Sequence, residues 1–401
     1  MIKTGIPTLD GYLKGGLPIG KTIIFYGPPT VDVDIFGMQV AYTNLINNGV
    51  CYYVTSKSSP DLIRSNFREY GWDLIPYASR FAIVDAYSSL IGASPTEPFN
   101  VKDPESIESI DDAMTGIIDS ISPGDMIVFS SLSSILDTCG GGPGIPDINK
   151  VLESIKRWNK MAVLNGGIVV YNFTDYGYPP ELVEQVKKGL CNSSVVVDRI
   201  GGESGYGQYF KLYTCDWSKP PEFPTLFKVV KPGGIKVHIP KILVTGPKGA
   251  GKSTFIRSAA SLSSDKSVSV DRMGTTVAVD YAHVMLKGFT IDMFGTPGQD
   301  RFNPIIKNIA KDALGIIVVI DSTDPKSFER AVEMLNISKT KDVPYIIAAN
   351  KQDLEDALDT EKIRKKINLP EDIPIVRVSA SNNMNVAQAI DIIIKKIVGV
   401  R

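Results

Sequence analysis

Short runs of apolar, β-branched residues alternate with amphipathic stretches along both halves of the chain. Buried parallel strands are typically continuous apolar runs, and the stretches between them have helical spacing. The pattern therefore predicts two α/β domains, each with a mainly parallel sheet between two layers of helices. In the first half, the predicted strands are residues 22–26, 50–55, 81–85, 126–130, 168–172 and 194–198, with helices such as 60–70 and 149–164 between them.

Near the end of the first half, the predicted strands change from parallel to antiparallel. Residues 210–214 and 226–230 are predicted to form further, antiparallel strands. The turn Lys231-Pro-Gly-Gly234 then leads into residues 235–237, which are predicted to close a hairpin. Because this hairpin completes the first sheet, we expect domains at residues 1–237 and 238–401.

The second half has the length and order of a single nucleotide-binding unit. Its predicted strands are residues 242–245, 282–286, 290–294, 315–321, 345–350 and 375–378. Its predicted helices are residues 254–262, 327–339, 361–367 and 386–398, and a loop is expected between 262 and 282.

Charge is unevenly divided between the halves. The whole chain has a formal net charge of −1, but residues 1–235 carry −6 and the remainder +5. Nucleic-acid binding requires clustered lysine and arginine, which the acidic first half lacks, and the second half has no long basic run. Nucleic acid is therefore not an expected partner.

The expected cellular compartment is inferred from targeting features that we do not find in the sequence. We find no signal peptide, no apolar run of membrane-spanning length and no lipidation motif, so we expect a cytoplasmic protein without a membrane anchor. The four cysteines are far apart, and with only two histidines they offer no zinc-binding spacing.

The second half carries a phosphate-binding motif between a predicted strand and a predicted helix. The segment Gly246-Pro-Lys-Gly-Ala-Gly-Lys-Ser253 fits the pattern G-x-x-x-x-G-K-[ST]. Its glycines, among them Gly249 and Gly251, allow backbone N–H groups to turn towards phosphates at a helix N-terminus. Lys252 is expected to contact the β- and γ-phosphates, and Ser253 to bind Mg²⁺. Thr254 continues the nucleotide-binding segment.

A second motif selects the base. Asn350-Lys-Gln-Asp353 follows a predicted strand, and the Asp353 carboxylate can accept hydrogen bonds from guanine N1–H and the exocyclic amine. Adenine offers no such pair of donors, so this site predicts GTP and GDP as ligands. Ser379 and Ala380 follow the next strand, where a backbone N–H can meet guanine O6. The nucleotide-binding set thus also includes Lys351.

Residues 241–401 resemble the Ras-like superfamily of small GTPases. The resemblance is to a prokaryotic branch related to Arf proteins, the signal-recognition-particle receptor β subunit and gliding-motility GTPases. Besides the phosphate loop, Gly295-Thr-Pro-Gly-Gln-Asp-Arg-Phe302 and Ala349-Asn-Lys-Gln-Asp-Leu354 carry it. It implies slow GTP hydrolysis with Mg²⁺ and regulatory or effector proteins as partners. It also implies that Thr276 meets Mg²⁺ and the γ-phosphate, that Gly298 contacts the γ-phosphate, and that Gln299 positions the attacking water.

One position departs from this family. Most small GTPases have Asp-x-x-Gly-Gln, but with Gln299 in register the aspartate position is Gly295. Asp292 and Asp280 are the alternatives for the missing carboxylate. A competing register would begin the motif at Asp292. Arg272 is either a built-in arginine finger or a solvent-facing cation.

The first half resembles RecA-like proteins of the KaiC and Rad55 type. The opening Thr4-Gly-Ile-Pro-Thr-Leu-Asp-Gly-Tyr-Leu-Lys-Gly-Gly-Leu-Pro-Ile-Gly20 carries the resemblance, which extends over residues 1–237. That family has G-P-P-G-S-G-K-T after the first strand, whereas this chain has Gly27-Pro-Pro-Thr-Val-Asp-Val-Asp34. Val33 takes the lysine position, Lys57-Ser58 replaces an acidic pair, and Ser130 ends the Walker B strand. We therefore interpret this domain as a pseudo-ATPase, and the alternative is that it still binds a nucleotide or another ligand in altered form.

Three functions remain open at this point. The first is a GTP-hydrolysing switch whose pseudo-ATPase domain acts as scaffold or effector. The second is a GTP sensor or assembly scaffold in which Gly295 has abolished turnover. The third is a recombinase-like DNA-binding protein, which the acidic first half disfavours.

Overall fold

A computed structural model of the chain describes residues 1–139, 148–200, 207–263, 270–273, 279–286, 289–299, 302–339 and 343–398. Contacts within the chain divide it into two compact units, with the division between His238 and Ile239. Each unit is an α/β domain built on one sheet. No helix in the described part of the chain combines the length and apolar character needed to cross a bilayer.

The first unit contains a ten-stranded sheet in the order β10-β9-β8-β7-β1-β6-β5-β2-β3-β4. The strands from β7 to β4 pair in parallel, while β8, β9 and β10 form antiparallel pairs at the other edge. The strands are β1 (Thr22–Gly27), β2 (Cys51–Thr55), β3 (Phe81–Asp85), β4 (Phe99–Asn100), β5 (Met126–Phe129), β6 (Ile168–Thr174), β7 (Ser193–Ile200), β8 (Gly207–Cys215), β9 (Thr225–Val230) and β10 (Gly234–Val237).

Helices cover both faces of this sheet. They are α1 (Pro7–Tyr12), α2 (Asp34–Ile46), α3 (Pro60–Glu69), α4 (Ile107–Ile118), α5 (Leu132–Thr138), α6 (Ile148–Leu164) and α7 (Pro180–Gly189). Along β1, Ile23 and Phe25 join a core with α2 and α3. Ile24 and Tyr26 join a second core with α4 to α7. Successive side chains of a strand point to opposite faces, so the continuous apolar run of β1 fills both cores.

The second unit contains a seven-stranded sheet in the order β12-β13-β14-β11-β15-β16-β17. Its strands are β11 (Lys241–Thr245), β12 (Val270–Met273), β13 (Val279–Leu286), β14 (Phe289–Gly295), β15 (Gly315–Asp321), β16 (Tyr345–Asn350) and β17 (Ile375–Arg377). Its helices are α8 (Lys252–Ser261), α9 (Asn303–Ala310), α10 (Phe328–Ser338), α11 (Thr360–Lys366) and α12 (Val386–Val398).

Three elements of this unit differ from the sequence expectation, and the first is helix α9, where no helix was predicted. Part of the expected loop between 262 and 282 is strand β12, which pairs antiparallel with β13. Four residues at a sheet edge are too few for a recognisable periodicity. Helix α8 begins at Lys252 rather than at residue 254, because Gly251 takes the N-cap position with φ of 96°.

The sheet topology places several loops at one edge. Strands β11, β14, β15 and β16 run parallel, so their carboxyl ends meet at the same side of the sheet. Ligands of open α/β sheets bind in the crevice outside these carboxyl ends. The loops after Thr245, Gly295 and Asn350, which carry the predicted motifs, all begin there.

Candidate functional site

The phosphate loop connects β11 to α8. Gly246 has φ of 142° and Gly251 has φ of 96°, both in the region that side chains disfavour. A Cβ atom at Gly246 would lie 2.1 Å from the carbonyl oxygen of Val319, and one at Gly251 would lie 2.2 Å from Asn350 Nδ2. The two glycines therefore let the loop fold tightly against β15 and β16.

Lys252 is buried beneath this loop. Its ammonium donates to the carbonyl oxygens of Gly246 and Pro247, both at 2.7 Å. Burial lowers the pKa of Lys252 to about 8, while Asp280 opposes this shift. A charge removed from water in this way is stabilised by a nearby anion. The group is therefore suited to binding phosphate oxygens.

Ser253 begins the contact between the phosphate loop and the neighbouring hairpin. Its hydroxyl donates to the Asp280 carboxylate at 2.5 Å. Asp280 lies in β13, directly across from Gly295, where the resemblance to small GTPases led us to expect an aspartate: a Cβ atom at Gly295 would lie 3.2 Å from Asp280 Cβ. The hydroxyl and the carboxylate thus form one cluster of oxygen atoms beside Lys252. Thr254 follows in the first turn of α8.

Asp292, the other candidate for the missing carboxylate, contacts different residues. Its carboxylate accepts a hydrogen bond from the Tyr281 hydroxyl at 3.0 Å and lies 2.7 Å from His283 Nδ1. Along β14, buried and half-buried residues alternate, with Gly295 in the buried series and Asp292 in the half-buried one. Asp292 and Gly295 therefore face opposite sides of the sheet. Of the two candidate carboxylates, Asp280 is the one that contacts Ser253.

Gly298 packs directly onto the phosphate loop. A Cβ atom at this position would lie 2.5 Å from Lys248 N and 2.8 Å from Lys248 Cα. Gln299 follows, half-buried, and its carbonyl oxygen accepts from Phe302 N at 3.1 Å. Thr276 lies outside the described residues, as does the side chain of Arg272.

Asn350 joins the phosphate loop to the predicted base site. Its Nδ2 donates to the Ala250 carbonyl, and its Oδ1 accepts from Ala380 N, both at 2.9 Å. Asp353 is exposed, so its carboxylate is accessible to a ligand. Ser379 is buried, and its hydroxyl lies 3.1 Å from that of Ser381. The Asn350 side-chain amide therefore links the end of its own strand to the phosphate loop and to the loop at Ala380.

Three contacts at this edge were not anticipated from the sequence. Lys351, with φ of 63°, forms an ion pair with Asp321 at the end of β15. The Gln352 side chain donates to Ser322 Oγ at 2.8 Å and accepts from Arg377 Nε at 2.9 Å. A sequence signal for Asp321 exists, since it is the first polar residue after an apolar strand that ends at the same edge.

The corresponding loop of the first unit, residues 27–34, packs two valines inward and lines an open cavity of about 390 Å³. Val31 and Val33 are buried in the core. A Cβ atom at Gly27 would lie 2.7 Å from a Val31 methyl and 2.9 Å from a Val33 methyl. Asp34 forms an ion pair with Lys57, and burial raises the Asp34 pKa against the effect of this lysine. Two valines and an internal ion pair thus lie at the positions where the resemblance to KaiC-type proteins leads us to expect phosphate-binding residues.

Each half of the chain is similar to a known family. Residues 229–397 match the ADP-ribosylation factor family, and residues 2–142 match the KaiC family of ATPases. The first match supports a GTPase, in general terms, as the second domain.

Individual relatives match parts of the chain. A UPF0273 protein of Aeropyrum pernix is 34% identical over 116 residues, which are 28% of this chain and 47% of that protein. An uncharacterized protein of Methanocaldococcus jannaschii is 32% identical over 123 residues, 31% of this chain and 76% of that protein.

A solved structure of a KaiC-like protein from Pyrococcus horikoshii aligns with a TM-score of 0.46 at 17% identity, covering 59% of this chain and 98% of that one. The chain spans about half the length of the UPF0273 relatives. The two family matches show a KaiC-like domain at residues 2–142 and a domain of the ADP-ribosylation factor family at residues 229–397.

Proposed function

We propose that this protein is a GTP-binding switch that hydrolyses GTP slowly with Mg²⁺. The observation that carries the proposal is the position of Asn350, whose two hydrogen bonds link Ala250 of the phosphate loop to Ala380 of the base loop. A single ligand with a base at one end and phosphates at the other suits this arrangement. The match to the ADP-ribosylation factor family supports GTP as that ligand.

Guanine recognition is assigned to Asp353 and Ala380. The exposed Asp353 carboxylate would accept from guanine N1–H and the exocyclic amine. The buried segment at Ser379 and Ala380 would direct a backbone N–H to guanine O6. Lys351 would lie along the base, held by its ion pair with Asp321.

The phosphates are assigned to the phosphate loop. Gly246, Gly249 and Gly251 shape the loop so that its N–H groups can point inward. Lys252 would exchange its two carbonyl partners for β- and γ-phosphate oxygens.

The Mg²⁺ ion is assigned to Ser253, with Thr276 as a further ligand implied by the resemblance. A hydroxyl beside a carboxylate matches the preference of Mg²⁺ for oxygen ligands, and the Ser253–Asp280 pair supplies both. When bound, the ion would neutralise charge on the β- and γ-phosphates. Asp280 would orient the Ser253 hydroxyl and contribute negative charge to the site.

For hydrolysis, Gln299 would orient the attacking water and Gly298 would contact the γ-phosphate. The described part of the site places Gly298 against the phosphate loop, where that phosphate group would end. No side chain is assigned as a strong base, so turnover without an activating partner is expected to be slow.

The first domain is assigned the role of scaffold or effector without ATPase activity. Val31 and Val33 occupy the loop interior, and the Asp34–Lys57 pair occupies the expected metal and acidic positions. The protein would act in the cytoplasm, where GTP is available, and regulatory or effector proteins would be its partners.

The test is Mg²⁺-dependent phosphate release from GTP and from ATP by the full chain and by Gln299→Leu. We expect release with GTP only, and a large reduction in the variant without loss of GTP binding. Equal use of ATP would defeat the proposal. The Gly295 departure favours a second candidate, a sensor that binds GTP without turnover, and an equal, background rate for both proteins would support it.

A further inference from the structure

Lys248 is a second cation of the phosphate loop, and the assignments above leave it without a role. It lies between Gly246 and Gly249, and its side chain is exposed. None of the described residues forms an ion pair with its ammonium group. Lys252, by contrast, is buried and bonded to two carbonyl oxygens of the loop.

The backbone of Lys248 lies against the segment that carries Gln299. A Cβ atom at Gly298 would be 2.5 Å from Lys248 N, 2.8 Å from Lys248 Cα and 2.8 Å from the carbonyl carbon of Pro247. The α-carbons of residues 248 and 298 are therefore neighbours, and Gln299 is one residue further. The Lys248 side chain starts where the phosphate loop and the Gln299 segment meet.

We propose that Lys248 places its ammonium on the γ-phosphate during hydrolysis, as a catalytic cation supplied from within the chain. This inference rests on the proposed GTPase function. A lysine carries its charge on a flexible four-carbon stem, so an ammonium that starts at this junction can reach a phosphate held between the two segments. In phosphoryl transfer, a cation at this end of the nucleotide stabilises charge that develops in the transition state.

The reaction step consumes only GTP and water, with Mg²⁺ bound as proposed above. The water oxygen forms a bond to the γ-phosphorus, and the bond from that phosphorus to the β–γ bridging oxygen breaks. The electron pair stays on the bridging oxygen of GDP, and the water protons end on the phosphate product and solvent. Lys248 stays protonated throughout and contacts the γ-phosphate oxygens.

The sequence offers Arg272 as a candidate for a built-in cation, since it precedes Thr276 by four residues. Lys248 is hidden in the variable part of the phosphate motif, where the pattern G-x-x-x-x-G-K-[ST] accepts any residue. The approach of Gly298 selects Pro247 and Lys248 among the variable positions, and of these two residues Lys248 is the one with a cationic side chain.

The experiment compares single-turnover GTP hydrolysis by the full chain with that of Lys248→Gln and Lys248→Arg. Lys365→Gln, an exposed lysine of α11, is the matched control. We expect Lys248→Gln to lower the rate by about 10- to 100-fold, the effect of one transition-state contact. Lys248→Arg should retain most of the rate, and the control all of it.

Two binding measurements separate catalysis from folding and ground-state affinity. The affinity of Lys248→Gln for GDP should stay within about twofold of the parent chain, because the γ-phosphate contact is absent from GDP. Binding of GDP with aluminium fluoride, which imitates the transferring phosphoryl group, should weaken in Lys248→Gln and recover in Lys248→Arg.

Each other result overturns the inference. An unchanged or faster rate in Lys248→Gln would mean that the lysine is not catalytic. A parallel loss of rate and GDP affinity would mean that it acts on binding alone. If the parent chain hydrolyses GTP and Lys248→Gln does so equally, only the role of Lys248 fails. If the parent chain does not hydrolyse GTP, the proposed function and this inference fail together.

Discussion

The Ser253 hydroxyl donates a hydrogen bond to the carboxylate of Asp280 at 2.5 Å, so the phosphate loop and strand β13 are joined at the position proposed above for Mg²⁺. The carboxylate comes from the strand beside the one that carries Gly295. The site therefore contains an oxygen cluster although its usual aspartate is missing.

Changing Asp280 tests this substitution. We expect Asp280→Asn to weaken Mg²⁺ binding in the presence of GDP by about 10- to 100-fold, as for groups that orient metal ligands. The measurement is the Mg²⁺ concentration needed to retain a fluorescent GDP analogue. Asp292→Asn is the control and should behave like the parent, since His283 and Tyr281 hold Asp292 on the other face. A larger effect of Asp292→Asn would reverse the assignment.

The base specificity is tested at Asp353. Asp353→Asn should weaken GTP binding at least about 100-fold, because an amide cannot accept both guanine hydrogen bonds. The same change should improve binding of xanthosine triphosphate, whose second carbonyl can accept from the new amide. Competition titrations with GTP, ATP and xanthosine triphosphate measure both effects, with Glu355→Gln as the control. An unchanged preference for guanine would contradict the site.

The lowered pKa of Lys252 predicts that nucleotide binding is coupled to proton uptake. Burial lowers this pKa to about 8 without nucleotide, and bound phosphates would raise it again. GDP binding should therefore take up close to one proton at pH 9 through this group and much less at pH 7. Affinity should fall as the pH rises above 8.

Calorimetry of GDP binding in two buffers of different ionisation enthalpy counts these protons. Lys252→Arg is the control, because its guanidinium stays charged at both pH values. Equal proton uptake by the parent chain at pH 7 and pH 9 would rule out this role for Lys252.

The ion pair of the first unit gives a stability prediction. Lys57→Met should lower the free energy of unfolding of this unit by about 1–2 kcal/mol, because it leaves the Asp34 carboxylate without its counter-charge. Asp34→Asn combined with Lys57→Met should recover part of the loss. If the double variant is less stable than the single one, Asp34 does not depend on Lys57.

Tryptophan fluorescence in urea can follow this unit within the full chain. The three tryptophans of the sequence, Trp72, Trp158 and Trp217, all belong to the first unit. Their unfolding transition therefore reports on the Asp34–Lys57 pair without separating the domains.

Both folds could be predicted from local pattern. Apolar strands and helical spacing indicated two α/β domains, and the spacing of the phosphate and base motifs indicated a guanine-nucleotide site in the second. Such features depend on residues close together in the chain, where backbone geometry and side-chain periodicity leave a regular signature. Short elements such as β4 and β12 leave no such signature, and only the sheet revealed them.

From the sequence alone, Asp280 and Asp292 were both candidates for the missing carboxylate, because both lie near Gly295 in the sequence. The alternation of side chains across β14 and the antiparallel pairing of β13 with β14 separate them. Likewise, the contact of Gly298 with Lys248 joins positions fifty residues apart. Local sequence specifies which strands and loops form, whereas the packing of strands from distant parts of the chain decides which side chains share a site.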